Sequence, residues 1–252
     1  MNAYSPETAT PRVQLEVSNW PIKAGFAGSL TSKLSFRAQA RIKAVLLTHR
    51  HYDHVKDLPA LGMNFFLLEK TLEICTIQSV YEDLARYLMD GVLYPDFRKI
   101  PPEKPVFKFN ILEPCREVTI EGYKILPVTV RHAVPGVGYQ VTSPAGKKLF
   151  YTADTGPGLE ECWRQVSPDL LIIEVTYLNK DEQLSIDAGH LTASMLQKEL
   201  ESFRKLKGYL PRIVTVHANP VDEKEIEAEL SRVAAALNTD IQPGREEMRI
   251  TL

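Results

Sequence analysis

Sulfur is scarce in this 252-residue chain. Its three cysteines, Cys75, Cys115 and Cys162, are odd in number, dispersed and without CxxC spacing, which argues against both a disulfide framework and a thiolate metal site. Long apolar runs are missing as well: none approaches the roughly 18–20 residues of a membrane span, so no membrane partner is expected. Nor is there an excess of charge of one sign. With 30 Lys and Arg against 32 Asp and Glu, the net charge is -2, and a long RNA or DNA partner finds no basic footprint. Residues 1–17 carry neither the basic region nor the apolar stretch of a secretory signal, and a cytoplasmic location is the expectation. No internal repeat, low-complexity tract or linker divides the chain. The apolar and charged fractions, 44% and 25%, suit an ordinary globular protein; a single domain over residues 1–252 is expected.

The hydrophobic pattern changes along the sequence. One strand is expected around Val13 to Val17, and Lys43 to Thr48 (KAVLLT) suits a buried strand. Val55 to Phe66 has helical spacing, weakened by Pro59 and Gly62. Thr71 to Ile77 alternates like a strand, Ser79 to Met89 reads as helix, and Ile100 to Pro105 as loop. From Val106 to Asp154 the signal is β, with Ser143 to Gly146 as a hairpin connection. Strand and helix then alternate: strands at Leu170 to Val175 and Ile213 to Val216, amphipathic helices from Leu191 to Leu206 and from Ile226 to Leu237. Met248 to Leu252 is expected to close the sheet. Interleaved strands and amphipathic helices predict a layered α/β domain.

The histidines carry the functional argument. Thr48-His49-Arg50-His51-Tyr52-Asp53-His54 sets three imidazoles and a carboxylate in six residues, directly after a buried strand. At a strand end His49 and His51 share a direction, while Asp53 and His54 lie on the turn into a helix and can address a second position. Imidazole with carboxylate suits zinc, manganese or iron. The chain has six histidines, and the other three also stand at element ends: His132 after Val128 and Val130, His190 before Leu191, His217 after Val216. Asp154 follows the Leu149 to Thr152 strand. Beside such a cluster it reads as a ligand bridging two ions, whose repulsion at roughly 3.5–4 Å its charge would reduce.

The ordered set HRHYDH, His132, YTADTG, AGHLTA and VHANP, spanning Thr48 to Pro220, resembles the metallo-β-lactamase superfamily. The resemblance implies an αββα sandwich with two divalent metal ions at one edge of its two sheets. It places His49, His51 and His132 on one ion and Asp53, His54 and His217 on the other, with Asp154 bridging. A histidine followed two residues later by threonine, as in His190 and Thr192, is similar to the phosphodiesterase branch, which includes ribonuclease Z and class II cyclic-nucleotide phosphodiesterases. Glu174 in IIEVTY also resembles a residue found there.

Two departures qualify the match. The stretch before HRHYDH is short, and WPIKAGFAGSL lacks the aspartate expected there, so the first part of the first sheet is read as shortened or divergent. The interval from His132 to Asp154 has room for a hairpin and not for the long basic arm common in ribonuclease Z. A small phosphodiester is therefore the expected substrate. In that reading a hydroxide bridging two ions, zinc or else manganese or iron, attacks phosphorus, Asp53 orients it, and His190 stabilises or protonates the leaving oxygen. Val134-Pro135-Gly136 and Tyr139 are candidates for the pocket border, Arg50 and Arg131 for phosphate contacts. The alternatives are a thioesterase or lactonase of the same fold and a non-catalytic metal-binding regulatory module. Association into a homodimer is left open.

Overall fold

The computed structural model describes residues 16–17, 22–24, 31, 34–245 and 248–252. The first elements are β1 (Glu16–Val17), β2 (Ile22–Ala24) and a short helix, α1 (Phe36–Gln39). KAVLLT forms β3 (Ala44–Leu46), every residue of which is buried. The helical spacing after it resolves into two pieces, α2 (Tyr52–Val55) and α3 (Leu58–Leu67). Pro59 falls in the first turn of α3, where its missing N–H removes no intrahelical bond. Gly62 is required by packing: a β-carbon there would come 2.3 Å from the Phe97 ring. β4 (Leu72–Thr76), α4 (Gln78–Tyr87) and β5 (Phe107–Ile111) follow, and β2-β3-β4-β5 make a four-stranded sheet, parallel throughout.

The β-rich middle supplies β6 (Val118–Ile120), β7 (Tyr123–Thr129), β8 (Val137–Thr142) and β9 (Lys148–Tyr151), joined as an antiparallel meander. Next come α5 (Glu160–Gln165), β10 (Leu170–Glu174), α6 (Glu182–Ala188), α7 (Ala193–Lys207), β11 (Arg212–Val216), α8 (Glu223–Leu237), β12 (Ile241–Pro243) and β13 (Arg249–Ile250). Strands β9 to β12 are parallel neighbours, so the large sheet has seven strands in the order β12-β11-β10-β9-β8-β7-β6.

Both faces of this sheet are covered, which is why β10 reads as an unbroken apolar run. Leu171 and Ile173 pack with Trp163, Leu196, Leu200, Phe203 and Leu230, from α5, α7 and α8. Leu170 and Ile172 lie on the opposite face with Leu149, Tyr151 and Val214. Farther along, Ile125, Val137, Tyr139 and Val141 share a core with Val45, Ile74 and Leu61 of the small-sheet layer. Helix, sheet, sheet and helix are thereby stacked as an αββα sandwich.

The structure corrects one sequence expectation and adds two short helices that the pattern did not show. Met248 to Leu252 does not extend the large sheet: β13 pairs with β1 instead. The edge belongs to β12, reached because Asn238 adopts a left-handed conformation and turns the chain back beside β11. Helices α5 and α6, with six and seven residues, are too short for a period to show. The strand expected at Val13 to Val17 appears as β1, and its first residues lie outside those described.

One buried carboxylate holds α5 in place. Glu199 of α7 accepts from the backbone N–H of Gly158 (2.6 Å) and Leu159 (3.1 Å) and from Trp163 Nε1 (3.0 Å). Glu199→Ala orphans three donors and opens a gap under Trp163. It is expected to cost about 3 kcal/mol, read as a lowered denaturation midpoint in urea; a change under about 1 kcal/mol would contradict this role.

Candidate metal centre

The carboxyl ends of β3, β7, β9, β10 and β11 open onto one edge of the sandwich, where α/β sheets place their ligands. Just beyond them stand His49, His132, Asp154, Thr176 and His217. His51 precedes α2 directly, and Asp53 and His54 lie within it. Two of these junctions carry backbone strain: Ala153, before Asp154, and His217 both have positive φ, 59° and 64°. Such conformations disfavour residues with a β-carbon and recur where function fixes a side chain.

All seven residues that the sequence singled out as ligands come together. Donor atoms of His49, His51, His132 and Asp154 form one group, those of Asp53, His54 and His217 another, each with its atoms within 4.8 Å of one another. Asp154 is central. Its Oδ2 lies 3.6 Å from His49 Nε2, 3.2 Å from His54 Nε2, 3.5 Å from His217 Nε2 and 4.0 Å from His132 Nε2. Asp53 Oδ2 faces His54 Nε2 at 3.2 Å and His217 Nε2 at 3.7 Å. His51 Nδ1 and His132 Nε2 approach to 3.0 Å.

Electrostatics match this crowding. Burial and the neighbouring His54 push His49 down to about 2. Burial opposes the charged form of His54 too, but hydrogen bonds to Asp154 and Asp53 outweigh it and raise the group to about 10. His217 is raised likewise, its burial outweighed by Asp53 and Asp154. Asp53 is held far below the usual carboxylate range by His217 and His54. Asp154 is also held far below it, because contacts with His54 and the charges around it overcome burial. The arrangement calls for positive charge between imidazoles and carboxylates.

A metal ion fits that need. His49 Nε2 and Asp154 Oδ1 are buried and have no hydrogen-bond partner, a costly state for polar atoms unless a ligand completes them. The outward nitrogens, by contrast, are held. His49 Nδ1 lies 3.1 Å from Thr48 Oγ1, His132 Nδ1 2.9 Å from the Gly189 carbonyl, and His217 Nδ1 2.9 Å from Thr176 Oγ1. Partners of this kind fix the tautomer and aim the other nitrogen at a metal.

His190 stands at the rim, its ring stacked on His217 at 5.4 Å. Its Nδ1 bonds Glu174 Oε1 at 2.7 Å, which overrides burial and raises its basicity. Glu174 is fully buried and accepts also from Thr155 N, Thr176 Oγ1 and Leu191 N, filling the acceptor sites of a carboxylate. Thr192 caps α7, accepting from Met195 N.

Sequence reasoning missed Thr48, Thr176 and Gly189. Thr176 had a signal, since it stands two residues after Glu174, a spacing that keeps the two on one side where the chain leaves β10 still extended. Gly189 had only the general signal of a glycine as a helix stop; in the structure it ends α6 in a left-handed conformation where a β-carbon would come 2.6 Å from Ala133 N. Other candidates sit differently from expectation. Tyr139 is buried with its hydroxyl on the Leu47 carbonyl, so it packs the core. Arg50 is paired with Asp83 at 2.6 Å. Gly136 lies where a β-carbon would be 3.1 Å from His49 Cβ, so the Val134-Pro135-Gly136 turn backs that ligand.

A two-sheet sandwich with a histidine and aspartate cluster at the ends of its strands defines a metal-dependent hydrolase of the metallo-β-lactamase fold. The family model of the beta-lactamase superfamily domain matches residues 24–218, and the chain belongs to that superfamily. It is similar to a ribonuclease Z of Pyrococcus abyssi, with 22% identity over 86% of this chain and 82% of the relative. Among solved structures, unliganded yeast PDE1 superposes with a TM-score of 0.73 at 18% identity, covering 84% of this chain and 68% of that one. The short form of human tRNase Z superposes with a TM-score of 0.58 at 19% identity, covering 87% and 82%. No helix among the described residues is long and apolar enough to cross a membrane.

Proposed function

We propose that the protein is a dinuclear phosphodiesterase acting on a small phosphodiester. The observation that carries this reading is the position of Asp154 Oδ2, within 4.0 Å of ring nitrogens from both donor groups. His49, His51 and His132 would hold one ion, Asp53, His54 and His217 the other, and Asp154 both. The nitrogen and oxygen donors suit zinc, and accept manganese or iron. When bound, two such ions lower the pKa of a shared water and neutralise charge on a phosphoryl group.

The chain's own groups supply the rest. Asp53, with its side chain 53% exposed, accepts a hydrogen bond from the attacking water and orients it. Glu174 holds His190 through Nδ1, which leaves Nε2–H of the imidazolium to protonate the departing alkoxide. Substrate size follows from the segment between His132 and Asp154, where β8 and β9 are joined by a tight turn at 143–147, and from the net charge of -2. A second reading, action on RNA, is favoured by the relative named ribonuclease Z.

The test is a substrate panel on zinc- or manganese-loaded protein: bis(p-nitrophenyl) phosphate, a thioester, a lactone and a transfer-RNA transcript. Turnover of the small phosphodiester is expected. Cleavage of the transcript alone would establish the second reading. Turnover confined to the thioester or lactone would move the protein to another branch of the fold, and inactivity on all four would make it a metal-binding module.

A further inference from the structure

The two donor groups lean on different outer partners. On the side of His49, His51 and His132 the partners named above are neutral: the Thr48 hydroxyl and the Gly189 carbonyl. On the other side, Thr176 Oγ1 meets His217 Nδ1 at 2.9 Å and donates its own proton to Glu174 Oε2 at 2.8 Å. A hydroxyl has one proton. Because the carboxylate takes it, Thr176 can only accept from His217, so Nδ1 carries the hydrogen. In the neutral imidazole that a metal requires, Nε2 then presents its lone pair toward Asp154 Oδ2 and Asp53 Oδ2, at 3.5 Å and 3.7 Å. A cation among these three atoms is attracted by all of them.

Glu174 has a separate task at its other oxygen, where His190 Nδ1 binds at 2.7 Å. Thr176 Oγ1 stands 3.4 Å from that nitrogen, a longer and weaker contact than its 2.9 Å approach to His217 Nδ1. The Thr176 hydroxyl is thus the element that connects the buried carboxylate to His217, whereas His190 meets that carboxylate directly.

We propose that Thr176 is a positioning residue that relays the charge of Glu174 to His217, and so sets the divalent-ion affinity of the Asp53, His54 and His217 position selectively. This inference rests on the reading of two bound ions. A ligand imidazole backed by an anion is oriented and made more basic, and loss of such a partner lowers metal affinity about 10–100-fold. Ligands backed by neutral groups lack that contribution, so the effect belongs to one position of the two.

The experiment is a stepwise zinc titration of metal-stripped protein in competition with a chromophoric chelator, on wild type, Thr176→Val and Thr176→Ser. In Thr176→Val one of the two affinities is expected to fall about 10–100-fold while the other stays within a few-fold; Thr176→Ser, which keeps the hydroxyl, is expected to restore it. Should the valine variant fail to fold, Glu174→Gln keeps an acceptor oxygen, removes the charge, and is expected to weaken the same single step. Unchanged affinities, or two equal losses, would overturn the proposal. A wild type that binds a single ion would overturn the two-ion reading and this inference with it, a result distinguished by the wild-type titration alone.

Discussion

Asp154→Asn is expected to reduce bound metal from two ions per chain to one or fewer and to lower phosphodiester turnover by at least about 10³-fold. The substitution nearly preserves shape, so what it removes is charge at a point that four ring nitrogens face. Asparagine offers one neutral oxygen and an amide that cannot ligate. In the proposed two-ion site, repulsion between the dications would then lose its screen. Several kcal/mol of charge stabilisation are at stake, and each 1.36 kcal/mol is tenfold in rate. Elemental analysis after dialysis, beside turnover, checks this. An asparagine variant that keeps two tightly held ions would assign the bridge to another group.

His190→Ala is expected to lower the rate without touching the metal: ion content unchanged, turnover down about 10²–10⁴-fold. The reason is the division of contacts. His190 is tied to Glu174 at 2.7 Å, and Asp154 with the six residues around it already furnishes donors for two positions. A donor atom of His190 nevertheless lies within 4.8 Å of those of Asp154 and His217, so metal content decides its role. Loss of an ion in the alanine variant would make His190 a ligand. Retained metal with a substrate bearing a better leaving group, such as p-nitrophenolate, should show a smaller rate loss than one with an alkoxide, because the better group needs less protonation.

Much of the architecture was legible because it is written in periodicity. The apolar run at Leu170 to Val175 and the spacing from Leu191 to Leu206 became β10 and α7, while the short edge strands β2 and β12 had no such signal. The site was legible in part because histidine is rare in this chain: three of the six copies crowd into HRHYDH after a buried strand, and the other three stand near element ends. Their convergence depends on strands distant in sequence ending at one edge, which ordered motifs indicate and periodicity does not. What stayed hidden has local causes. Helices α5 and α6 are shorter than two full helical repeats of their pattern, and α6 leaves Leu184 and Ile186 exposed. Tyr139 looked like a pocket residue because an aromatic near a motif gives no sign of which sheet face it occupies. The outer partners of the imidazoles use a backbone carbonyl and two threonine hydroxyls, chemistry too common in any sequence to be noticed before the fold places it.

The most direct test is to titrate zinc into metal-stripped protein while following hydrolysis of bis(p-nitrophenyl) phosphate. Turnover is expected to stay near background through the first equivalent and to rise with the second. Activity that is complete at one ion per chain, or absent at two, would contradict a dinuclear phosphodiesterase.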